Sequence, residues 1–282
     1  MASAYYSFVA GFPDFALDDS KLPVTSRGIK ADLTEQLDPA DCTHLVELFY
    51  PVDNKNFLAV LLGRADQAHD PLGNFTREEF EEEIRCPMIL PRYMIDFLDQ
   101  HRAGLPADTL PENLLSSLMY DTLQKSENAF IRGWFAFDRD IRNIVTALSC
   151  RRMGVEPERE VVGEGMVADA ASRASGADFG LSREFVWLDA LLRVYHGNLL
   201  ERELMIDRIR LDALDELTIS SGFSLDKVLG LVVRLGIAER WLALDATAGR
   251  ELLKRILASM ESGLVFPEEF SIRGGSKHGD NR

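Results

Sequence analysis

Three close spacings of nucleophilic or metal-ligating residues are the first places to look for chemistry. Cys42 and His44 lie two residues apart, while Asp41/His44 and Asp66/His69 have i, i+3 spacing. A thiolate–imidazole couple works only if the two groups meet, and on a helix residues at i and i+2 point to different faces. The Asp/His pairs can share a face. Zinc, however, needs four ligands, or three and a water, and the other histidines, His101, His196 and His278, are dispersed. Neither H-E-x-x-H nor the Glu-x-x-His pairs of di-iron bundles occur. Phosphate-binding signatures fare no better. Gly274-Gly275-Ser276-Lys277 has the wrong order for a phosphate loop, and Gly163-Glu164-Gly165 stands alone. Asp178-Phe179-Gly180 matches a kinase triplet without its catalytic-loop and strand-lysine companions, and G-x-S-x-G is absent. The expectation is a chain with no catalytic, cofactor-binding or metal residues and no small-molecule substrate.

One polar pattern does repeat. Asp53-Asn54-Lys55-Asn56-Phe57-Leu58 precedes Leu61, Leu62 and Arg64, and Asp140-Ile141-Arg142-Asn143-Ile144-Val145 precedes Leu148 and Arg151. A weaker third copy starts at Asp226, at a similar spacing, with Leu229 in the asparagine's place and Arg234 near the end. Similar periods suggest three related helical units. Asp53, Asn56, Asp140, Asn143 and Asp226 are then structural repeat positions. The short polar side chains would cap helices and tie hairpins together through backbone hydrogen bonds.

The elements that carry these residues read as helices. Asp38-Pro39 has the form of an N-cap with proline at the first helical position. Thr76-Arg77-Glu78-Glu79 and Thr109-Leu110-Pro111-Glu112 have the form of capping boxes. Apolar residues recur at helical spacing at Met94/Phe97/Leu98/His101, Leu115/Leu118/Met119 and Ile141/Ile144/Val145/Leu148. They do so again at Leu188/Leu191/Leu192/Tyr195/Leu199, at Leu225/Val228/Leu229/Val232 after Ser224 as N-cap, and at Leu252/Leu253/Ile256/Leu257/Met260. Tyr5–Ala10 is an apolar run that periodicity leaves open between strand and helix. Glycines make 154–180 a loop with a short helix near Val167–Ser172, and 104–111 a second break. The result is an all-α, multi-helix protein. Its regions are an N-terminal one over 1–105, a middle one over 106–160, a C-terminal one over 161–270 and a polar, disordered tail over 271–282. Trp241 and Tyr195 are candidate interface anchors, with core packing the simpler role.

Bulk properties narrow the partners. The 282 residues include 46 Asp and Glu against 31 Lys and Arg, a formal charge of −15. Such a surface repels phosphate backbones and anionic lipid and favours encounter with a basic protein. Three separated cysteines fit a reducing compartment. Without a signal-peptide pattern or a long apolar run, the chain reads as cytoplasmic.

Several segments together resemble a bacterial family encoded with the other components of V-type (V/A-type) ATP synthases. They are Tyr5–Asp14, Asp53–Leu58, Phe137–Asn143, Leu211–Leu217, Phe223-Ser224 and Glu239-Arg240-Trp241. That family stands where the C/d-type spacer of the V-type ATPase is expected. The C/d-type spacer is built from three related helical units with Asp-x-x-Asn-type helix openings. The resemblance implies a non-catalytic central-stalk spacer that couples the rotor shaft to the membrane rotor ring. It would act in ion or proton transport, bind no cofactor, have the central-shaft proteins and the ring as partners, and lie peripheral to the inner membrane. An assembly factor or regulator of the same complex and a helical enzyme with an unrecognised pocket are the alternatives.

Overall fold

The computed structural model describes residues 4–243 apart from 18 and 20. Among these residues all regular structure is helical. The stripe Leu252–Met260 and the tail over 271–282 lie outside the described residues. The chain opens with α1 (Ala4–Gly11), so the Tyr5–Ala10 run is a helix, followed by α2 (Ser26–Gln36). Thr25 caps α2 by accepting from the Gly28 N–H at 3.1 Å. Next come α3 (Pro39–Leu48) and α4 (Tyr50–Leu61), interrupted only at Phe49, with Pro51 in the first turn of α4. Pro39 sits at the start of α3 as expected, although the Asp38 side chain makes no capping bond.

The short α5 (Arg77–Glu83) starts on the expected capping box. Thr76 Oγ1 accepts from the Glu79 N–H at 3.2 Å, and Glu79 accepts from the Thr76 N–H at 2.7 Å. Then follow α6 (Arg92–Ala103) and α7 (Pro111–Leu123). The second capping box, at Thr109, does not form. Leu110 is the N-cap of α7 and offers no side-chain acceptor, because the helix starts one residue later than the pattern requires. The longest helix among the described residues is α8 (Ala129–Met153). Asn128 Oδ1 accepts from the Ile131 N–H at 2.8 Å at its start, and Gly154, at φ 69°, reverses the chain at its end. The glycine-rich stretch then holds one 3₁₀ turn (Pro157–Arg159) and α9 (Met166–Arg173), close to the helix expected there. The described chain finishes with α10 (Leu188–Tyr195), α11 (Leu199–Thr218) and α12 (Leu225–Ala243). Ser224 precedes α12, but its buried hydroxyl has no hydrogen-bond partner.

Packing follows a pattern that occurs twice. In α4–α7, α4 packs on α5 and α7, and α6 packs on α7. In α8–α11, α8 packs on α9 and α11, and α10 packs on α11. Both sets therefore have a lead helix, a short second helix and a closing pair of which the last returns to the lead. These sets cross residues 105 and 160, where glycine-rich composition marks breaks. The next lead position is taken by α12, which packs on α11, on α8 and on α1, α2 and α3.

The core explains the arrangement. Phe57, Phe80, Met94, Phe97, Leu115 and Leu123 are buried between α4 and α7 and join Phe130, Ile131, Phe135, Val228, Leu229 and Leu235 in one cluster. Ile141, Ile144, Leu148, Leu188, Leu191, Tyr195, Ile206 and Ile209 form a second cluster. α8 belongs to both, its first half facing one cluster and its second half the other. Gly133 allows its close approach to α11, since a Cβ there would lie 2.7 Å from Leu217 Cδ2. No described helix is long and apolar enough to cross a membrane.

Candidate functional site

Three of the repeat positions, Asp53, Asn56 and Asn143, carry polar side chains into the core. Asn56 is 1% and Asn143 0% exposed. The Asn56 side chain clasps one residue of the loop after α4. Its Nδ2 donates to the Asp70 carbonyl at 2.8 Å, and its Oδ1 accepts from the Asp70 N–H at 2.9 Å. Asn143 does the same to Val162, donating to its carbonyl at 2.9 Å and accepting from its N–H at 3.0 Å. A primary amide carries a donor and an acceptor side by side, matching the N–H and C=O of one extended residue. In both units the amide pins the loop that leads from the lead helix into the short second helix.

The aspartates do not behave alike. Asp53 is fully buried and accepts from the Asn74 N–H at 2.6 Å and from the Asn74 side chain. Asn74 Oδ1 in turn accepts from Lys30 Nζ at 2.9 Å, and the same ammonium donates to the carbonyls of Leu72 and Gly73. Lys30 also lies 4.2 Å from the centre of the Phe49 ring. Burial pushes the Asp53 carboxyl up to about 6, against its Asn74 hydrogen bonds and the Lys30 charge. Burial also brings Lys30 down to about 8, against the charges of Asp53 and Asp70. Gly73 is required here. A Cβ would lie 2.8 Å from both Asn56 Nδ2 and Asp53 Oδ1.

Asp140 makes no such loop bond. It lies in the interior of α8 beside Arg139, 3.6 Å away, and burial raises its pKa above the ordinary carboxylate value. Asp140 and Asn143 are thus not a helix opening, because the Asn128 cap starts α8 well before them. The third copy also departs from the pattern. Asp226 lies in the first turn of α12 and accepts from Asn128 Nδ2 at 2.7 Å, while Leu229 is fully buried in the core. Asp226 therefore joins the starts of α8 and α12, and Leu229 packs in the core.

Two further buried carboxylates had no signal in spacing. Asp207, on α11, accepts from Arg210 Nη1 at 3.0 Å, from Trp241 Nε1 at 2.8 Å and from Arg240. It fastens α12 to α11 through the Arg240-Trp241 pair. Glu83 accepts with one oxygen from three successive backbone N–H groups, Met88 at 2.7 Å, Ile89 at 2.9 Å and Leu90 at 3.2 Å. Burial opposes its charge, but the three amides outweigh burial and hold its pKa below the ordinary value.

The pairs first suspected of chemistry are engaged elsewhere. His44 Nδ1 meets Glu47 at 2.9 Å, and Glu47 also accepts from Ser126 Oγ at 2.6 Å. The nearest partners of Cys42 Sγ are the carbonyls of Leu37 and Thr34. His69 contacts the Phe75 carbonyl at 3.1 Å, and His101 stacks on Phe97. Asp178 accepts from the Gly180 N–H at 3.0 Å, and Phe179, at φ 58°, packs under Arg151. No group of three or more His, Cys, Asp or Glu side chains among the described residues is placed to hold a metal. Tyr195 and Trp241 are core residues at 1% and 4% exposure.

No curated protein and no solved structure matches the chain. A family model does, over residues 1–264, and the chain belongs to that family, described as Protein of unknown function (DUF2764).

Proposed function

We propose that this protein is a non-catalytic component of a V/A-type rotary ATPase, a C/d-like spacer seating the rotor shaft on the membrane ring. The observation that carries the reading is the doubled four-helix unit with its paired asparagine clasps. It agrees with the repeated helical units implied by the segment resemblance, with the asparagines of the two Asp-x-x-Asn patterns acting alike. A torque-bearing spacer needs stiffness, and buried polar side chains fully used to pin loops supply it. Asp53, Asn56, Asn143 and Asp207 all spend their hydrogen-bonding capacity on the protein's own backbone and side chains. The acidic surface favours a basic shaft or ring surface through long-range attraction.

The test is affinity purification of the tagged chain from native membranes in mild detergent, with quantitative mass spectrometry. Recovery of head, shaft and ring proteins, with one copy of this chain per shaft, is the expected result. Recovery at low stoichiometry, from incomplete complexes only, would favour an assembly factor. Recovery of no ATPase component from preparations in which the complex stays intact would end the proposal.

A further inference from the structure

The segment before α10 and the outer face of α11 frame a cleft of about 290 Å³ with an unusual lining. Three aromatic rings form one side. Phe185 and Trp187 have ring centres 5.2 Å apart and are tilted by 44°. Phe137, reaching in from α8, meets Trp187 edge-on at 6.4 Å and 76°. Glu184, Asp212 and Glu216 supply the charged part of the lining. Asp212 and Glu216 are one turn apart on α11, a spacing at which like charges repel. None of the three carboxylates takes part in an ion pair among the described residues. Arg208, one turn before Asp212, is exposed and pairs with none of them.

We infer that this cleft is a docking site for an arginine side chain on a basic segment of a partner protein. Non-parallel aromatic rings present their negative faces to a cation and form the walls of cation-binding cages. The carboxylates supply the countercharge that the rings lack. A guanidinium suits both surfaces, because it stacks on an aromatic plane while its fork of donors meets carboxylates. The volume is at or below the lower end of small-molecule pockets, which fits one side chain and not a cofactor. The frame is built in advance. The Phe185 N–H donates to the Leu181 carbonyl at 2.9 Å, the Leu188 N–H to the Phe185 carbonyl at 3.0 Å, and Ser182 Oγ to Asp189 at 2.8 Å. Val186, between the two aromatic residues, is 86% exposed and extends the apolar rim that a peptide backbone would cover. The inference stands apart from the ATPase reading, since it rests on the cleft alone.

The experiment uses the full chain, labelled with ¹⁵N and titrated with a capped peptide of alternating alanine and arginine. The readout is the indole N–H resonances of its three tryptophans. Trp241 is buried and serves as the internal reference, whereas Trp134 packs on Phe137 of the cleft, with ring centres 5.7 Å apart. The Trp187 indole should shift and saturate while Trp241 stays still, and a citrulline peptide of the same length should leave the Trp187 indole unmoved. Trp187→Ala, which lacks the reporter and is therefore titrated by calorimetry alongside the wild type, should weaken binding about tenfold. The exposed pair Asp212→Asn and Glu216→Gln, which carries no folding risk, should weaken it about fivefold. Glu82→Gln, in the exposed acidic run on α5, should leave it unchanged. Equal shifts from the citrulline peptide, peptide binding that leaves Trp187 still, or equal weakening by Glu82→Gln would each overturn the assignment. So would tighter binding of spermidine than of the peptide, which would make the ligand a free polyamine.

Discussion

Replacing Asp207 by asparagine changes one atom in a fully buried group that holds two helices together. The carboxylate has three donors, and two of them, Arg240 and Trp241, come from α12. An asparagine offers one acceptor oxygen and turns an NH₂ toward the remaining donors. The least costly orientation keeps the oxygen on Trp241 and Arg240 and faces the amide nitrogen to Arg210. That guanidinium retains Asp138 at 3.9 Å as a second counterion. The loss is then one charge-assisted bond plus the neutralisation of Arg240's partner. Breaking a buried ion pair from one side costs about 3–5 kcal/mol. Arg240 is 46% exposed and regains water, so the low end applies, about 3 kcal/mol. For a chain of this size that lowers Tm by roughly 6–12 °C. Thermal and urea unfolding followed by circular dichroism would measure it. Asp169→Asn serves as control, since its 4.0 Å pair with Arg173 is exposed on both sides and worth about 0–1 kcal/mol. If Asp207→Asn cost no more than this control, Asp207 would not be the fastening between α11 and α12.

Other outcomes follow from the clasped loops. Gly73→Ala should destabilise by about 1–3 kcal/mol, because the new methyl meets Asn56 and Asp53 at 2.8 Å; an unchanged urea midpoint would remove the close approach. Asn143→Ala should cost about 2 kcal/mol through two lost backbone bonds, with amide exchange accelerating first at Val162. Asp53, with its folded pKa raised to about 6, contributes a stabilising term that is fully present below the unfolded pKa, near 4, and lost as pH rises through 6. Wild type should therefore lose up to about 3 kcal/mol relative to Asp53→Asn between pH 4 and 7, and parallel pH profiles would contradict the buried carboxyl. Glu83 has the opposite sign. Its depressed pKa gives stability that is present above the unfolded carboxylate value and lost as pH falls through the folded one. Glu83→Gln should cost about 1–3 kcal/mol at pH 7 and progressively less in acid, and it should expose the Met88–Leu90 amides to exchange.

Much of the helix set could be read along the chain because its causes are local. Thr76 and Glu79 form their box because both partners lie within one turn. The stripes at Met94–Phe97–Leu98 and Ile141–Ile144–Leu148 became buried faces because helical spacing aligns them. The asparagines of the two Asp-x-x-Asn patterns could be singled out, and both pin loops. Their position inside helices was not legible, since the Asn128 cap and the break at Phe49 set where α8 and α4 start. Local pattern also misplaced the start of α7, where Leu110 took the cap position from Thr109.

What composition and periodicity determined by themselves is the helical character, the short helix near Val167 and the two loop-clasping asparagines, Asn56 and Asn143. Tertiary structure alone decided which charges are buried together. Lys30 reaches Asn74 across 44 residues and Asn74 reaches Asp53 across 21, while Arg240 and Trp241 reach Asp207 across 33 and 34. Phe137, on α8, meets Trp187, at the start of α10, only because α11 packs on both helices. A carboxylate has the same local preferences wherever it occurs. Whether it is solvated, clasps a loop or faces an aromatic cleft depends on the dielectric and the donors around it, which distant segments bring together only when the helices pack.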